Sequence, residues 1–246
     1  MAIIDKPSDY FNTKLYTGNA TNPTTISGIG FQPDWVWTKL RAGGTEGHRL
    51  CDAVRGVTKD LFSNDSDAEA TNSIGLKSFN SDGYVIGNSN GYNINSGTFV
   101  SWNWKAGTTG SGTTTGAGTG KAYSYSVNTT SGFSIVTYLG NGTEDHTIPH
   151  HLGVAPKMYI VKQRDGADSW ITYHDGLGGA DKYILLNTTA VVGTSNNPWG
   201  SVVPTSSVNN LGSAGDTNGN DDSFIMYSFA DVQGYSKFGS YTGNGN

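Results

Sequence analysis

The chain has 246 residues and a formal net charge of −5, glycine supplies 35 of the residues, and charged side chains make up 14%, against about 25% in an average soluble domain. Without clustered Lys and Arg to neutralise phosphates, the sequence excludes nucleic acid as a partner, and without an apolar run near roughly 20 residues it excludes membrane insertion by a helix. The single cysteine, Cys51, excludes an internal disulfide and is consistent with synthesis in a cytoplasm.

The predicted elements, in chain order, are short strands separated by turns. Residues 34–39 and 100–104 alternate large apolar side chains with small or polar ones, which is typical of antiparallel strands with one buried face. Residues 65–70 are the stretch with helical character, and they provide a turn or two at most. Residues 133–138 are β-branched and aromatic, which favours a strand. Turn-forming Gly, Asn, Asp and Ser separate the runs at residues 81–83, 93–97 and 215–219.

The chain also repeats itself. When the sequence is shifted by 123 positions, Lys39 aligns with Lys162 and Asn64 aligns with Asn187. Offsets of 122 and 125 extend the match upstream and downstream, as loop insertions between fixed elements would produce. Further matched pairs are Tyr16 and Tyr138, Gly18 and Gly140, Asn19 and Asn141, Arg41 and Arg164, Asp52 and Asp175, and Lys59 and Lys182. This series predicts two homologous domains.

We therefore expect an all-β chain of tandem β-sandwich domains of the jelly-roll type. Residues 1–106 form the first predicted domain and residues 122–233 the second. Residues 107–120 are Gly, Thr, Ser and one Ala, so the segment 107–121 is predicted to be a flexible Gly/Thr/Ser linker. Residues 234–246 repeat the start of a copy, which predicts a truncated third repeat.

The tryptophans are candidates for carbohydrate binding, because sugars stack on exposed aromatic faces. Trp170 and Trp199 lie in turn-rich or weakly patterned segments, and they are the candidate contacts to a glycan or receptor. Four others alternate along strands, and large apolar residues replace them in the second copy, which indicates core positions. Those four are Trp35, Trp37, Trp102 and Trp104.

A group of histidines forms the second set of candidates. Two imidazoles four positions apart, His146 and His150, can share a metal ion on a helix, but Pro149 and the nearby glycines disfavour a helix. We therefore predict a surface loop without a metal. In that loop His150 and His151 are candidate receptor contacts.

The remaining patterns do not indicate catalysis. Residues 216–222 place oxygen ligands at alternate positions, as the start of a calcium loop does. However, Asp221 stands where an EF-hand needs glycine and Tyr227 stands where it needs a bidentate Glu, so a polar hairpin connection is favoured. The sequence has no phosphate-binding loop of the Gly-x-x-x-x-Gly-Lys-Ser/Thr type. We expect no catalytic residues, no metal and no cofactor, and hence a protein that is not an enzyme.

Several longer motifs resemble those of a known family, and the resemblance covers nearly the whole chain. They are residues 1–13, 30–37, 79–84, 152–158 and 234–245. They are similar to the tandem-repeat structural proteins of marine bacteriophages of the cyanophage type, which are described as tail-fibre-like. The resemblance implies concanavalin-like, lectin-like sandwich domains and further copies beyond this chain, and it supplies no site residues.

The resemblance and the repeats predict a bacteriophage virion structural protein, a tail fibre, spike or capsid appendage with a role in host attachment. Many weak loop contacts, multiplied by copy number, would supply its affinity. Its expected partners are other virion proteins and a host cell-surface glycan, and a homo-oligomer, taken as a trimer, is expected. The protein would be made in the host cytoplasm and reside in the virion. Two alternatives stay open, a capsid decoration or connector protein that binds other virion proteins, and a polysaccharide depolymerase.

Overall fold

A computed structural model describes residues 3–245 of the chain, and the fold is all-β, as predicted. Residues 1–2 and 246 lie outside the described part, at the start of the first predicted domain and the end of the predicted third copy. Besides strands, the described part has two one-turn α-helices and two 3-10 turns, at Pro7–Asp9 and Asp175–Leu177. Within residues 3–245 no helix is long and apolar enough to cross a membrane.

The first half of the chain forms a four-stranded sheet, a three-stranded sheet and a two-stranded ribbon. Its elements are β1 (Phe11–Thr17), β2 (Thr24–Ser27), β3 (Trp35–Ala42), β4 (Arg49–Asp52), β5 (Lys59–Asp60), β6 (Ala70–Thr71), β7 (Leu76–Asn80), β8 (Gly83–Ile86), helix α1 (Asn90–Asn93) and β9 (Thr98–Trp104). The four-stranded sheet has the order β1-β9-β3-β4, the three-stranded sheet has the order β2-β8-β7, and β5 pairs with β6.

The second half forms an eight-stranded sheet and a three-stranded sheet. Its elements are β10 (Thr108–Thr113), β11 (Thr115–Gly116), β12 (Ala122–Asn128), β13 (Phe133–Leu139), β14 (His146–Pro149), β15 (Met158–Gln163), β16 (Ile171–His174), β17 (Lys182–Leu185), β18 (Gly193–Thr194), β19 (Val208–Leu211), helix α2 (Gly215–Asn218) and β20 (Ser223–Phe229). The large sheet has the order β10-β12-β13-β20-β15-β16-β17-β18, and the small one has the order β11-β14-β19.

The two three-stranded sheets, the four-stranded sheet and the eight-stranded sheet stack as four layers with three large apolar spaces between them. A smaller apolar cluster is formed by Val127, Leu152 and Ala230. One space lies within the first half, between its two sheets, and one lies within the second half, between its two sheets. The third, the central core, lies between the four-stranded and eight-stranded sheets and draws on both halves. There Trp35 stacks on Tyr227 with ring centroids 4.2 Å apart. The buried members of the central core are Trp35, Leu50, Leu61, Ala106, Phe133, Ile135, Ile160, Trp170, Ile225, Tyr227 and Phe229.

Strands between two cores are buried on both faces. In β20, Met226 faces the core of the second half and its neighbour Tyr227 faces the central core, so both faces of this strand are apolar. The prediction of one buried face is wrong for residues 100–104, because the polar residues Ser101 and Asn103 are fully buried too. It is also wrong for residues 34–39, where Val36 and Thr38 are fully buried beside Trp35. Asn103 Nδ2 donates to Ser101 Oγ at 3.1 Å and to Asn12 O at 3.0 Å, so the amide NH2 group is satisfied in this buried position.

Both halves use the same strand order and the same buried asparagine. The order β1-β9-β3-β4 recurs as β13-β20-β15-β16. Asn93 in α1 and Asn218 in α2 are fully buried, and the Oδ1 of each accepts from a backbone N–H, that of Asn19 at 2.8 Å and that of Asn141 at 2.9 Å. The Nδ2 of each donates to backbone carbonyls of its own half. This correspondence favours two homologous domains, and the division into domains stays a prediction.

Residues 107–121 are not the flexible linker that their composition predicts. Strand β10 pairs along its whole length with β12, and β11 pairs with β14. A Cβ at Gly110 would lie 2.7 Å from the ring of Tyr125, and one at Gly112 would lie 2.9 Å from the ring of Tyr123. The segment has no large apolar side chain because tyrosines of the neighbouring strand cover its glycines.

Three further local predictions are wrong. Residues 65–70 hold the start of β6 but no helix, and the helical turns are α1 and α2. Residues 216–222 do not connect a hairpin, because α2 leads from β19 of one sheet to β20 of another. His146 was predicted to lie in a surface loop with His150 and His151. It lies instead in β14, the central strand of the sheet β11-β14-β19.

The predicted third copy begins as a segment that folds back on the second half. Val232 and Ser236 form an isolated bridge, and the ring of Phe238 lies 6.0 Å from that of Phe229. Tyr241 is 94% exposed, whereas its counterpart Tyr138 is buried with its hydroxyl donating to a backbone carbonyl. The third copy therefore stays a prediction.

Candidate binding cleft

Charged side chains cross the boundary between the halves. Arg55, whose guanidinium is fully buried, pairs with Asp52 at 2.5 Å and with Glu69 at 3.0 Å. Glu69 also accepts two hydrogen bonds from Arg164 of the second half, each 3.0 Å long. Tyr227 OH donates to Asp52 Oδ2 at 2.7 Å. A bidentate ion pair therefore joins the halves in addition to the central core.

Glu69 is the carboxylate that pairs with both arginines of this cluster, Arg55 and Arg164. Burial of the Glu69 carboxyl acts to raise its pKa, but the hydrogen bond from Arg164 and the charge of Arg55 outweigh burial and lower that pKa. The carboxylate is therefore ionised at neutral pH. Each buried cation keeps a partner, which is the condition under which a buried ion pair is tolerated.

Trp170 connects loops of different halves. Its side chain is fully buried in the central core. Its Nε1 donates to Phe62 O at 2.9 Å in the first half. Its backbone N–H donates to Asn187 Oδ1 at 3.0 Å in the second half. Trp170 is therefore a positioning residue for the loops that contain Phe62 and Asn187.

An open cleft of about 600 Å³, which we call the junction cleft, lies where these two loops meet. Its walls combine an indole ring with amides and hydroxyls, and His48 is its titratable side chain. This composition resembles that of small-molecule sites, in which a few polar groups orient a ligand against an aromatic surface. The first half supplies Trp37, His48, Ser63 and Asn64, and the second half supplies Leu186, Asn187, Thr188 and Thr189.

The geometry at Trp37 fixes the chemical state of His48. Trp37 Nε1 donates to His48 Nδ1 at 2.8 Å. Since an indole N–H can only donate, Nδ1 is the acceptor and the neutral imidazole carries its proton on Nε2. Partial burial and then the charge of Lys39 lower the pKa of His48, so this ring is neutral at pH 7.

The half-buried indole of Trp37 is held by ring contacts as well. His48 and Trp102 each meet it edge-on, with centroids 5.7 Å and 6.1 Å away and interplanar angles of 76°. These contacts and the Nε1 hydrogen bond already restrict the Trp37 ring. The Trp37 side chain would therefore lose little further conformational entropy when a ligand binds to it.

Asn64 and Asn187, which the internal repeat aligns, both line the junction cleft. Asn64 Oδ1 accepts from the backbone N–H of His48 at 2.7 Å, in the same way as Asn187 Oδ1 accepts from Trp170. Neither Asn64 Nδ2 nor His48 Nε2 has a hydrogen-bond partner within residues 3–245. The cleft therefore offers two fixed donors to a ligand.

The structure places most of the predicted contact residues inside the protein. Trp170 and Trp199 are fully buried, so the prediction that their rings are exposed is wrong. Each fills a core, a role that the turn-rich sequence around it conceals. His150 is also fully buried, its Nδ1 accepting from Leu152 N and its Nε2 donating to Thr205 O, so the prediction of a surface position is wrong there too.

His151 differs from the other three candidates because it keeps an exposed part. Its ring stacks on that of Tyr125 with centroids 3.7 Å apart, and its Nε2 lies 3.1 Å from Tyr123 OH. It does not line the junction cleft. Its role as a receptor contact stays a prediction.

Sequence reasoning missed Trp37 as a site residue because it placed all four alternating tryptophans in the core. Trp35 is 1% exposed and does lie there, but Trp37, Trp102 and Trp104 are only half-buried. The sequence signal for the cleft is the pair Asn64 and Asn187, which the internal repeat aligns and which both line the cleft. The alignment of this pair did not by itself indicate a site. Within residues 3–245 no three His, Cys, Asp or Glu side chains are grouped as metal ligands.

The fold and the cleft define a layered all-β protein with a polar, aromatic-walled cleft between its halves. The chain belongs to the family described as Domain of unknown function (DUF7483), whose model matches residues 6–246 and so runs through both halves. Comparisons with curated proteins and with solved structures each found no match.

Proposed function

We propose that this chain is a structural protein of a bacteriophage particle, a fibre, spike or capsid appendage that attaches to the surface of the host cell. The observation that carries the proposal is the junction between the halves. The central core and the Glu69–Arg164 ion pair fuse two sandwiches into one layered body. A part that links a particle to a cell needs modules that do not move apart under load, and a large apolar interface provides that.

The chemistry of the surface supports the same proposal. The chain carries few charges, and the junction cleft is built from neutral side chains. Weak contacts of this kind become effective when many copies act together, because linked sites raise the effective concentration without new contacts. The expected partners are accordingly other virion proteins and a host surface glycan, with the protein as a homo-oligomer in the virion. The resemblance of residues 1–13, 30–37 and 234–245 to motifs of tail-fibre-like phage proteins supports this location.

Antibodies raised against the intact chain test the proposal. Immunogold labelling of purified particles of the encoding phage should place the label on fibres, spikes or other projections. The recombinant chain, added in excess to host cells, should compete with the particles and reduce their attachment. Label confined to the shell lattice, or attachment that the added chain leaves unchanged, contradicts an attachment role, and lattice label supports a connector protein instead.

A further inference from the structure

We infer that the junction cleft binds a neutral saccharide unit of a host surface glycan, with Trp37 as the stacking surface and Asn64 and His48 as hydrogen-bond donors. This inference rests on the proposed attachment function and adds to it a site and a ligand class. Three properties of the cleft carry it, namely an oriented aromatic ring, donors without protein partners, and walls without charge.

The aromatic ring accounts for the first part of the recognition. A pyranose ring presents a patch of C–H bonds on one face, and an indole covers such a patch with apolar area while its rim stays polar. Trp37 has a part of its ring accessible and its orientation fixed by His48 and Trp102. The cleft therefore presents a prepared surface to a sugar ring.

Hydrogen bonding accounts for the second part. Sugar hydroxyls both donate and accept, so they need a mixed set of partners. Asn64 Nδ2 and His48 Nε2–H are donors in the cleft. The hydroxyls of Thr188 and Thr189 both donate and accept. These groups come from both halves, so a ligand in the cleft contacts both halves at once.

The lack of charge selects among the classes of sugar. Phosphorylated and sialylated glycans are recognised through Arg and Lys, which form charge-assisted hydrogen bonds with the anion. The lining residues of the junction cleft include neither. The nearby cation Lys39 is engaged elsewhere, because its Nζ donates to Leu40 O at 3.0 Å and to Glu46 O at 2.6 Å. The cleft therefore favours a neutral sugar.

The size and shape of the cleft fit a unit of a longer chain. Its volume of about 600 Å³ lies within the roughly 300–1,000 Å³ of small-molecule sites. Because the cleft is open, a glycan can continue out of it in either direction. A different cavity, which Trp37 also lines together with Phe11 and Trp104, has mainly apolar walls and so lacks the mixed lining of the junction cleft.

The test uses the intact chain, ¹⁵N-labelled, and four neutral probes: the methyl glycosides of glucose, galactose, mannose and N-acetylglucosamine. We expect at least one probe to shift the indole N–H signal of Trp37 in a saturable manner, with a Kd near or above about 1 mM. Trp37→Ala should abolish binding. Asn64→Asp keeps the acceptor for the His48 N–H but removes the NH2 donor from an exposed position, so it should weaken binding by about tenfold while the protein stays folded.

Tyr241→Ala is the matched control, because it removes an aromatic ring that is 94% exposed and outside the cleft. Binding should be unchanged in this variant. The absence of a saturable shift with any of the four probes, undiminished binding in both cleft variants, or tighter binding of sialyllactose than of every neutral probe overturns the inference. If the probes fail while immunogold still labels projections of the particle, the cleft assignment is wrong and the proposed function stands. If the probes bind while particles carry no label, the proposed function is wrong and the saccharide site stands.

Discussion

Asn218 acts at the scale of single residues as a hub that holds several loops in place. Its Oδ1 accepts from Asn141 N and lies 2.8 Å from His146 Nδ1, and its Nδ2 donates to Thr143 O and Gly212 O. A fully buried amide with all its positions used is costly to remove, because every partner is then left unsatisfied in a low-dielectric interior.

Asn218→Ala should lower the free energy of unfolding by roughly 3 kcal/mol, because several buried groups lose their partner. Asn220→Ala, two positions further on at an exposed site, should change it by less than about 0.5 kcal/mol. Urea unfolding of both variants measures the difference. Equal effects in the two variants would show that the hub does not contribute to stability.

The buried His150 makes the protein sensitive to acid. Burial lowers the pKa of His150 to about 4, and the hydrogen bond to Thr205 opposes the shift only in part. Nδ1 already accepts from Leu152 N, so a proton on Nδ1 would face another N–H. Because the folded state disfavours the charged ring, its contribution to stability is complete above the unfolded pKa near 6.5 and is lost as the pH falls toward 4.

His150→Asn should therefore reduce the loss of stability between pH 6.5 and pH 4, by on the order of 3 kcal/mol. The measurement is the free energy of unfolding of wild type and variant at several pH values across this window. His48, His146 and His151 also have lowered pKa values, which leaves the variant with a residual pH dependence of the same sign. Parallel pH profiles for the two proteins would contradict the assignment.

Part of this residue-level detail was accessible from the sequence. The repeat identified Tyr138, Asn141 and Asn187 by alignment with their counterparts, and all three make hydrogen bonds in the structure. Burial of Trp170 and Trp199 was not accessible, because their positions in the core depend on contacts between segments far apart in the sequence. The local sequence pattern predicts which face of a strand is buried. It does not predict the burial of a loop residue that is covered by a second layer of the fold.

At the scale of elements, β10 shows where composition misleads. Its Gly, Thr and Ser side chains bury little apolar area of their own, which is the usual mark of a linker. In the structure its backbone pairs with β12 and tyrosine rings of that strand cover its glycines. The residues that indicate a strand here are the tyrosines of β12. The sequence of residues 108–113 alone therefore does not predict that this segment is a strand. Strands β3 and β13, by contrast, were predicted as strands because their own side chains carry a strand pattern.

Hydrogen exchange followed by mass spectrometry tests β10 directly. The amides of residues 108–113 that donate to β12 should exchange at least about 100-fold more slowly than in an unstructured chain, since their opening requires the sheet edge to separate. Residues 241–243, which have no secondary structure, serve as the internal control and should exchange quickly. Fast exchange throughout 108–113 would restore the flexible linker.

At the scale of the whole molecule, the halves are not independent sandwiches on a tether. Trp35 of the first half and Tyr227 of the second half stack in the central core, and the Arg164–Glu69 pair lies across the same boundary. The internal repeat predicts each half and its strands, but it does not predict that the halves associate. In the sequence, the apolar faces that meet in the central core look the same as faces buried inside a single sandwich. The junction cleft, and with it the proposed binding site, exists only because the halves associate.

Differential scanning calorimetry of the intact chain tests this association most directly. Fusion across the central core predicts one cooperative transition, with a calorimetric enthalpy equal to the van't Hoff enthalpy and on the order of 170 kcal/mol for a chain of this length. Two separate transitions, each with about half of that enthalpy, would contradict the account, because they would show that each half unfolds without the other.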